Sequence, residues 1–352
     1  MFNNASFDDH ERVVAFHDAD SGLRALIALH STALGPAAGG CRLWTYGDPA
    51  MAMTDVLRLS RGMSFKNAMA GLPMGGGKAV ILGPVPDERR AAIFAAFGRA
   101  VDTLDGAYVT AEDVGVAPAD LEIAAQHTAH ISGIVTRDGV GGNPSPFTAR
   151  GVCIGLEAAA RFAFARSDIA GLRVAVQGLG GVGMNLAREL HQRGARLLVA
   201  DLSATRVEEA CDCFGAAAAG VDEILLSDVD IIAPCALGSV ITDDVARHMR
   251  AKVIAGGANN QLAGAGAAGI LLERGITYAP DYVINAGGII LVSGEYFRDS
   301  DRATIDAKID AIGPRTAQIL EIARQTAVSS GAVADRMARD IIARARLATR
   351  FA

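Results

Sequence analysis

The sequence is short of several things, and each shortage excludes a class of protein. No run of about 18 apolar residues survives uninterrupted, because Glu157, Arg161 and Arg188 break the apolar stretches, so no segment reads as a membrane span. Met1 to Arg12 has neither a basic stretch nor an apolar core, and no secretory leader is expected. Nowhere do Lys and Arg gather among aromatics, and 33 basic against 39 acidic residues leave a net charge of -6, which argues against a nucleic acid partner. The five cysteines, Cys41, Cys153, Cys211, Cys213 and Cys235, form no C-x-x-C pair and fit reduced thiols in a cytoplasmic protein. Cys211-x-Cys213 lacks a second Cys/His pair at zinc spacing, so no metal is expected. There is no repeat with a period of about 20 to 50 residues.

What is present belongs to a globular α/β chain. With 352 residues, 51% of them hydrophobic and 40 of them glycine, the chain exceeds one ordinary core and should divide into two domains. Leu23 to Leu29 and Lys78 to Leu82 read as strands, with helical spacing from Pro49 to Lys66 between them and from Asp87 to Leu104 after them. Tyr108 to Ala111 reads as a further strand. Gly133 to Pro146, dense in glycine and proline, marks a hinge. Beyond it a helix from Thr148 through Ala160 precedes strands at Arg173, Arg196, Ile231, Val253 and Thr277, a doubly wound pattern. The expected domains are therefore residues 1–135 and 145–325. The basic helical tail, about 330–352, reads as a solvated surface packing back on the first domain, with a membrane or calmodulin-type role as the alternative.

Arg173 to Gln177 is a strand that runs straight into Gly178, Gly180 and Gly183, followed by the helical pattern Met184 to Arg193. This is G-x-G-x-x-G in the context that gives it meaning: backbone N–H groups at a helix N-terminus approach a pyrophosphate that side chains would block. The next strand, Arg196 to Ala200, ends at Asp201, 18 residues after Gly183, where a carboxylate accepts ribose hydroxyls and repels a 2′-phosphate. NAD is the expected cofactor, although Arg206 nearby leaves room for NADP.

In the first domain R-G-M-S-F-K-N-A-M-A-G-L-P-M-G-G-G-K-A-V-I-L sets Lys66 and Lys78 twelve residues apart, with Gly75 to Gly77 leading into Lys78. One reading has two solvated lysines and a glycine turn. The other has one ammonium holding an anionic group while its neighbour, its pKa depressed by desolvation and by the first charge, acts as a base. Glu112 and Asp113 in T-A-E-D-V-G-V serve either as a proton-relaying carboxylate or as an N-cap ahead of Pro118. Met63, Met69 and Met74 read as core and, secondarily, as a border of the site.

Together L-G-P-A-A-G-G-C-R-L-W, R-L-S-R-G-M-S-F-K-N-A, G-G-G-K-A-V-I-L-G, T-A-E-D-V-G, G-N-P-S-P-F-T-A-R-G-V, A-P-C-A-L-G and A-N-N-Q-L closely resemble the leucine/phenylalanine/valine dehydrogenases, more distantly the glutamate enzymes, over nearly the whole chain. The resemblance implies reversible, NAD-dependent oxidative deamination of an L-amino acid to a 2-oxo acid and ammonia by a homo-oligomer. It implies an N-terminal domain for substrate and assembly, and a Rossmann-type domain for NAD, with a cleft between them. Lys66 would hold the substrate α-carboxylate with the backbone at Gly39 and Gly40, Lys78 would be the general base, and Asp113 the proton partner of the amine. Thr148 would meet the nicotinamide carboxamide. Asn259 would contact its ribose and Asn260 the substrate carboxylate, two roles that the sequence does not separate. Further cofactor contacts would come from Gly181, Val182, Leu202, Cys235 and Ala236.

The resemblance places Ala38, Ala111, Ile289 and Val292 around the substrate side chain, none of them charged. The glutamate relatives carry a lysine in place of Ala38, so here a distal carboxylate would be buried unpaired and glutamate is disfavoured. Most leucine-type relatives carry leucine there, so alanine deepens the pocket and leaves aromatic and branched aliphatic substrates both open. Dehydrogenation of a hydroxy acid is an alternative, but none of the seven histidines sits in the His–Arg setting that chemistry uses. An inactive nucleotide-binding sensor is another, opposed by the presence of Lys66, Lys78 and Asp113.

Overall fold

A computed structural model describes residues 1–134 and 141–350 of the chain. It divides into two compact units, one of Met1–Asn143, Leu291–Ile305 and Ala338–Ala352, the other of Pro144–Ile290 and Asp306–Met337.

The first unit opens with strands β1 (Arg12–Asp18), β2 (Leu23–Ser31), β3 (Ala37–Ala38) and β4 (Cys41–Trp44). Helix α1 (Pro49–Met69), β5 (Gly75–Leu82), α2 (Asp87–Asp102), β6 (Tyr108–Val109) and the short α3 (Pro118–Ala124) follow. The sheet runs β1-β2-β5-β3-β6, with β4 also paired to β5. β1 pairs antiparallel with β2, and β2 with β5, while β3 and β4 lie parallel to β5. Apolar residues on both faces of β2 and β5 allow a helix on each side. Ile93, Phe94, Phe97 and Val101 of α2 pack with Ile27 and Ile81 on one face, and Val56 and Leu57 of α1 with Ala28 and Val80 on the other. Asp48 starts α1, its carboxylate accepting the Ala50 N–H at 2.8 Å ahead of Pro49 at the first helical position.

Gly75 to Gly77 do not form a turn: they are the first residues of β5. A Cβ on Gly76 would lie 2.0 Å from the Ser64 nitrogen and one on Gly75 1.9 Å from the Ser31 oxygen, so α1 and the strand approach more closely than side chains permit. The glycines bring the last turn of α1, which carries Lys66, down onto the strand that carries Lys78.

The second unit begins with α4 (Ser145–Phe164), β7 (Arg173–Gln177), α5 (Gly181–Gln192), β8 (Arg196–Ala200), α6 (Ala204–Phe214) and β9 (Ala217–Ala218). It continues through β10 (Ile231–Pro234), α7 (Asp243–His248), β11 (Val253–Ile254), α8 (Ala265–Glu273), β12 (Thr277–Tyr278) and α9 (Asp281–Ile284). Helices α10 (Gly287–Phe297), α11 (Arg302–Asp310), α12 (Ile312–Thr326) and α13 (Ser330–Arg350) end the described chain. The sheet order is β12-β11-β10-β7-β8-β9 and every pairing is parallel, so the strand order reverses at β7, which adjoins both β8 and β10. Ligands of such sheets bind at this reversal, outside the carboxyl ends of the strands.

The division differs in detail from the boundaries expected at 135, 145 and 325. Residue 135 lies outside the described residues, as do 136–140 of the expected hinge, and the units meet between Asn143 and Pro144. Three helices belong to both units. α10 starts in the second and ends in the first, α11 starts in the first and ends in the second, and α13 contributes its start to the second and its remainder to the first. Periodicity finds such helices but does not show that a boundary runs through them.

Candidate active site

In the first unit the sheet brings together residues far apart in sequence. Lys78 stands in the middle of β5, opposite Ala28 of β2, and is only 6% exposed. Its Nζ lies 2.5 Å from Asp113 Oδ2. Asp113 follows β6 and reaches Lys78 because the chain after Tyr108–Val109 continues beside β4, with Cys41 bridged to Glu112. A buried ammonium needs an opposite charge, and this carboxylate supplies it. Burial alone would raise the Asp113 pKa, but the Lys78 and Arg42 charges outweigh it and hold the carboxyl below its ordinary range. The expected like-charge neighbour is therefore not the closest group to Lys78. Lys66 lies partly buried on the last turn of α1 and has interactions of its own.

The N-cap alternative for Glu112 and Asp113 is ruled out by the start of α3. There the Asp120 carboxylate accepts the Ala117 N–H at 2.7 Å and is itself gripped by Arg90. Glu112 is exposed, its pKa raised by partial burial and by the charge of Asp113.

Gly39 and Gly40 join β3 to β4. The Gly39 N–H donates to Val109 O at 3.1 Å, and its oxygen accepts from Tyr108 Oη at 2.7 Å. A Cβ on Gly40 would lie 2.9 Å from Asp113 Cβ, so a larger residue there would displace the aspartate. Ala38 is buried in β3, paired with Gly76 and Val109, and Ala111 accepts the Cys41 N–H. Ile289 falls in the second unit and Val292 in the first, three residues apart on α10 and so on one face of it. Of the methionines, Met69 and Met74 are core, while Met63 lies beside Gly39.

In the second unit the glycine turn has a role for each glycine. Gly178 has φ of +92°, and a Cβ on Gly183 would sit 1.9 Å from the Gly178 oxygen, so both are required by the turn itself. Gly180 is different: a Cβ there would meet nothing within 4 Å. Its bareness serves no packing need of the described protein, and leaves a cradle open at the N-terminus of α5, where Gly181, Val182 and Gly183 form the first turn. Asp201 Oδ2 accepts the Leu179 N–H at 2.6 Å and Oδ1 the Ser203 N–H at 2.8 Å. Partial burial works against ionisation, but these two donors and Arg206, 3.8 Å away, keep its pKa low, so it is an acceptor at neutral pH. Leu202 beside it is 93% exposed. The Cys235 N–H donates to Gln177 O, its sulfur accepts the Gly257 N–H, and Ala236 lies against Gly178. These residues fit a dinucleotide: bare backbone for a pyrophosphate and an ionised carboxylate for ribose hydroxyls.

Thr148 lies in the first turn of α4, its hydroxyl donating to Pro144 O and packed where a side chain on Gly288 would go. Asn259 Oδ1 accepts from Asn285 Nδ2 at 3.0 Å, whereas Asn260 adopts φ of +52° and its oxygen accepts the Ser239 N–H. The two asparagines thus differ: one side chain is oriented by a neighbour, the other sits on a left-handed backbone. The sequence did not single out Arg42, although it stands in G-G-C-R-L-W, or Asn285, because the part of each lies in which side chain it touches. Among the described residues no cluster of His, Cys, Asp or Glu is arranged to hold a metal, and no helix is long and apolar enough to cross a membrane.

A nucleotide cradle in one unit and a buried lysine–aspartate pair in the other fit one class, a nucleotide-dependent dehydrogenase. Comparison with known families narrows it. "Glu/Leu/Phe/Val dehydrogenase, dimerisation domain" matches residues 10–130, and "Glutamate/Leucine/Phenylalanine/Valine dehydrogenase" matches residues 204–347. A leucine dehydrogenase of Bacillus subtilis is 47% identical over 339 residues, 96% of this chain and 93% of that protein. An L-tryptophan dehydrogenase of Nostoc punctiforme is 40% identical over 98% and 97%. A valine dehydrogenase of Streptomyces coelicolor is 42% identical over 96% and 93%. The crystal structure of the Nostoc punctiforme L-tryptophan dehydrogenase matches with a TM-score of 0.84 at 38% identity, covering 96% of this chain and 97% of that one. The protein belongs to the Glu/Leu/Phe/Val dehydrogenase family. Its relatives are amino acid dehydrogenases.

Proposed function

We propose that the protein catalyses the reversible, NAD-dependent oxidative deamination of an apolar L-amino acid, consuming water and yielding a 2-oxo acid, ammonia, NADH and a proton. The observation that carries this reading is the buried Lys78–Asp113 pair, a proton donor and acceptor in contact within the unit that would take the substrate.

Lys66 holds the substrate α-carboxylate, with Gly39 and Gly40 keeping the floor free of side chains. Because the Gly39 N–H is already spent on Val109, its part is one of shape. Asn260 assists at the carboxylate. Lys78 takes the proton from the attacking water, and Asp113 passes protons to and from the substrate nitrogen. NAD, held by Gly178, Gly180, Gly181, Val182, Gly183, Asp201, Leu202, Cys235, Ala236, Thr148 and Asn259, accepts the hydride from Cα. The ionised Asp201 favours NAD over NADP. Ala38, Ala111, Ile289 and Val292 line the side-chain pocket, and leucine, valine, phenylalanine and tryptophan are all admissible substrates. The enzyme works as a homo-oligomer in the cytoplasm, which suits its free cysteines.

The test is a panel of those four amino acids with NAD at alkaline pH. NADH absorbance is expected with at least one of them, and Lys78→Ala abolishes it. Silence across the panel in folded wild-type protein would overturn the reading.

A further inference from the structure

We infer that Arg42 is a positioning residue for Asp113: it fixes the carboxylate beside Lys78, and is itself anchored from behind by Asp55. The inference rests on the role proposed for Asp113.

Five contacts carry it. Arg42 Nε lies 3.2 Å from Asp113 Oδ2, the oxygen that Lys78 Nζ also contacts. Arg42 Nη1 lies 2.9 Å from Asp55 Oδ2. Asp55 is fixed in turn by Tyr46 Oη at 2.8 Å and by Arg58 Nη2 at 3.0 Å. The guanidinium therefore spans two carboxylates, one at the reacting pair and one on α1. Only a planar fork does this, because a lysine ammonium has the charge without the two-ended geometry. The arginine is held in place by half-burial and by carboxylates on both sides.

A single cation would leave Asp113 free to follow the Lys78 side chain as that amine exchanges its proton. Held also by Arg42, Asp113 keeps one position while Lys78 changes. Two cations on one carboxylate oxygen also account for an Asp113 carboxyl that stays acidic despite its burial. The substrate nitrogen then meets an aspartate whose orientation is set before it arrives.

The experiment follows Asp113 directly, by an infrared pH titration of the carboxyl band that Asp113→Asn removes. In Arg42→Gln the midpoint rises by about one pH unit, since an opposite charge within a few ångströms is worth about that much or more. Arg42→Lys brings it part of the way back. In turnover assays Arg42→Gln lowers kcat roughly tenfold or more with little change in KM, and Asp55→Asn, which keeps Arg42 but loosens it, lowers kcat in the same direction. An unmoved midpoint in Arg42→Gln overturns the inference. If Arg42→Gln does not fold, an unchanged kcat in Asp55→Asn overturns it as well. Wild-type protein that oxidises no amino acid would sink the proposed reaction but not the titration, so the two failures are distinguishable.

Discussion

At the scale of single residues, the side chains proposed to carry the chemistry stood out in the sequence because their settings conflict with packing. A lysine leading a strand and an acid closing one are poor core material, and Lys78 and Asp201 were legible for that reason. Arg42 was not, because C-R-L-W reads as an ordinary strand with one polar face, and only the fold shows that this face meets both Asp113 and Asp55. Partnering of this kind depends on residues 71 and 13 positions away, which no local pattern encodes. Asp201 yields a prediction at the same scale. Its carboxylate is ionised, and removing it should narrow the preference between cofactors. Asp201→Ser is expected to lower kcat/KM for NAD by roughly tenfold while improving the ratio for NADP, with Arg206 close enough to meet an added phosphate. Measuring kcat/KM with both cofactors checks this, and an unchanged ratio would place the ribose elsewhere.

Among elements, regular segments were read almost to the residue. β7 and β8 run Arg173–Gln177 and Arg196–Ala200 as the alternation indicates, because a parallel strand buried on both sides has little freedom in where it ends. Two kinds of element escaped. β1, R-V-V-A-F-H-D, is an edge strand of mixed exposure and lacks a clean apolar signature. β3, two alanines, is too short to show any period. The triple glycine was a different matter, since its composition favours a turn on paper and only the nearness of α1 makes it strand. Gly76→Ala tests that packing. Its Cβ would lie 2.0 Å from the Ser64 nitrogen and 2.3 Å from Ser64 Oγ, both anchored on a long helix. A loss of about 2 kcal/mol or more in a urea melt is expected, by the cost of overfilling a packed interior. An unchanged midpoint would mean that α1 does not sit on β5 this closely.

At the scale of the whole molecule, two α/β units with a parallel sheet in one were visible from the order of strands and helices, while the assignment of α10, α11 and α13 to both units was not. The fold also carries a buried polar cluster with a global consequence. His30 Nδ1 shares a hydrogen bond with Ser64 Oγ at 2.8 Å, its ring stands edge-on to His10 at 4.9 Å, and His10 Nε2 meets Ser60 Oγ at 3.0 Å. Burial, reinforced by the neighbouring His10, pushes the His30 pKa down from 6.5 to about 4, and burial lowers that of His10 too. Below pH 6.5 the unfolded chain takes up protons that the folded chain refuses, so stability is full above that pH and falls as the pH drops towards 4. The loss from His30 is roughly 3 kcal/mol by pH 4. Thermal melts between pH 7 and 4.5 should show it, and His30→Gln should flatten the slope. A slope that is equally steep in the variant would assign acid sensitivity to other groups. The central claim, that the buried Lys78–Asp113 pair and the nucleotide cradle together deaminate an amino acid, is tested most directly by counting products. With NAD and the best substrate of the panel, one ammonia is predicted for each NADH formed, and neither in Lys78→Ala. NADH formed without ammonia would contradict the account.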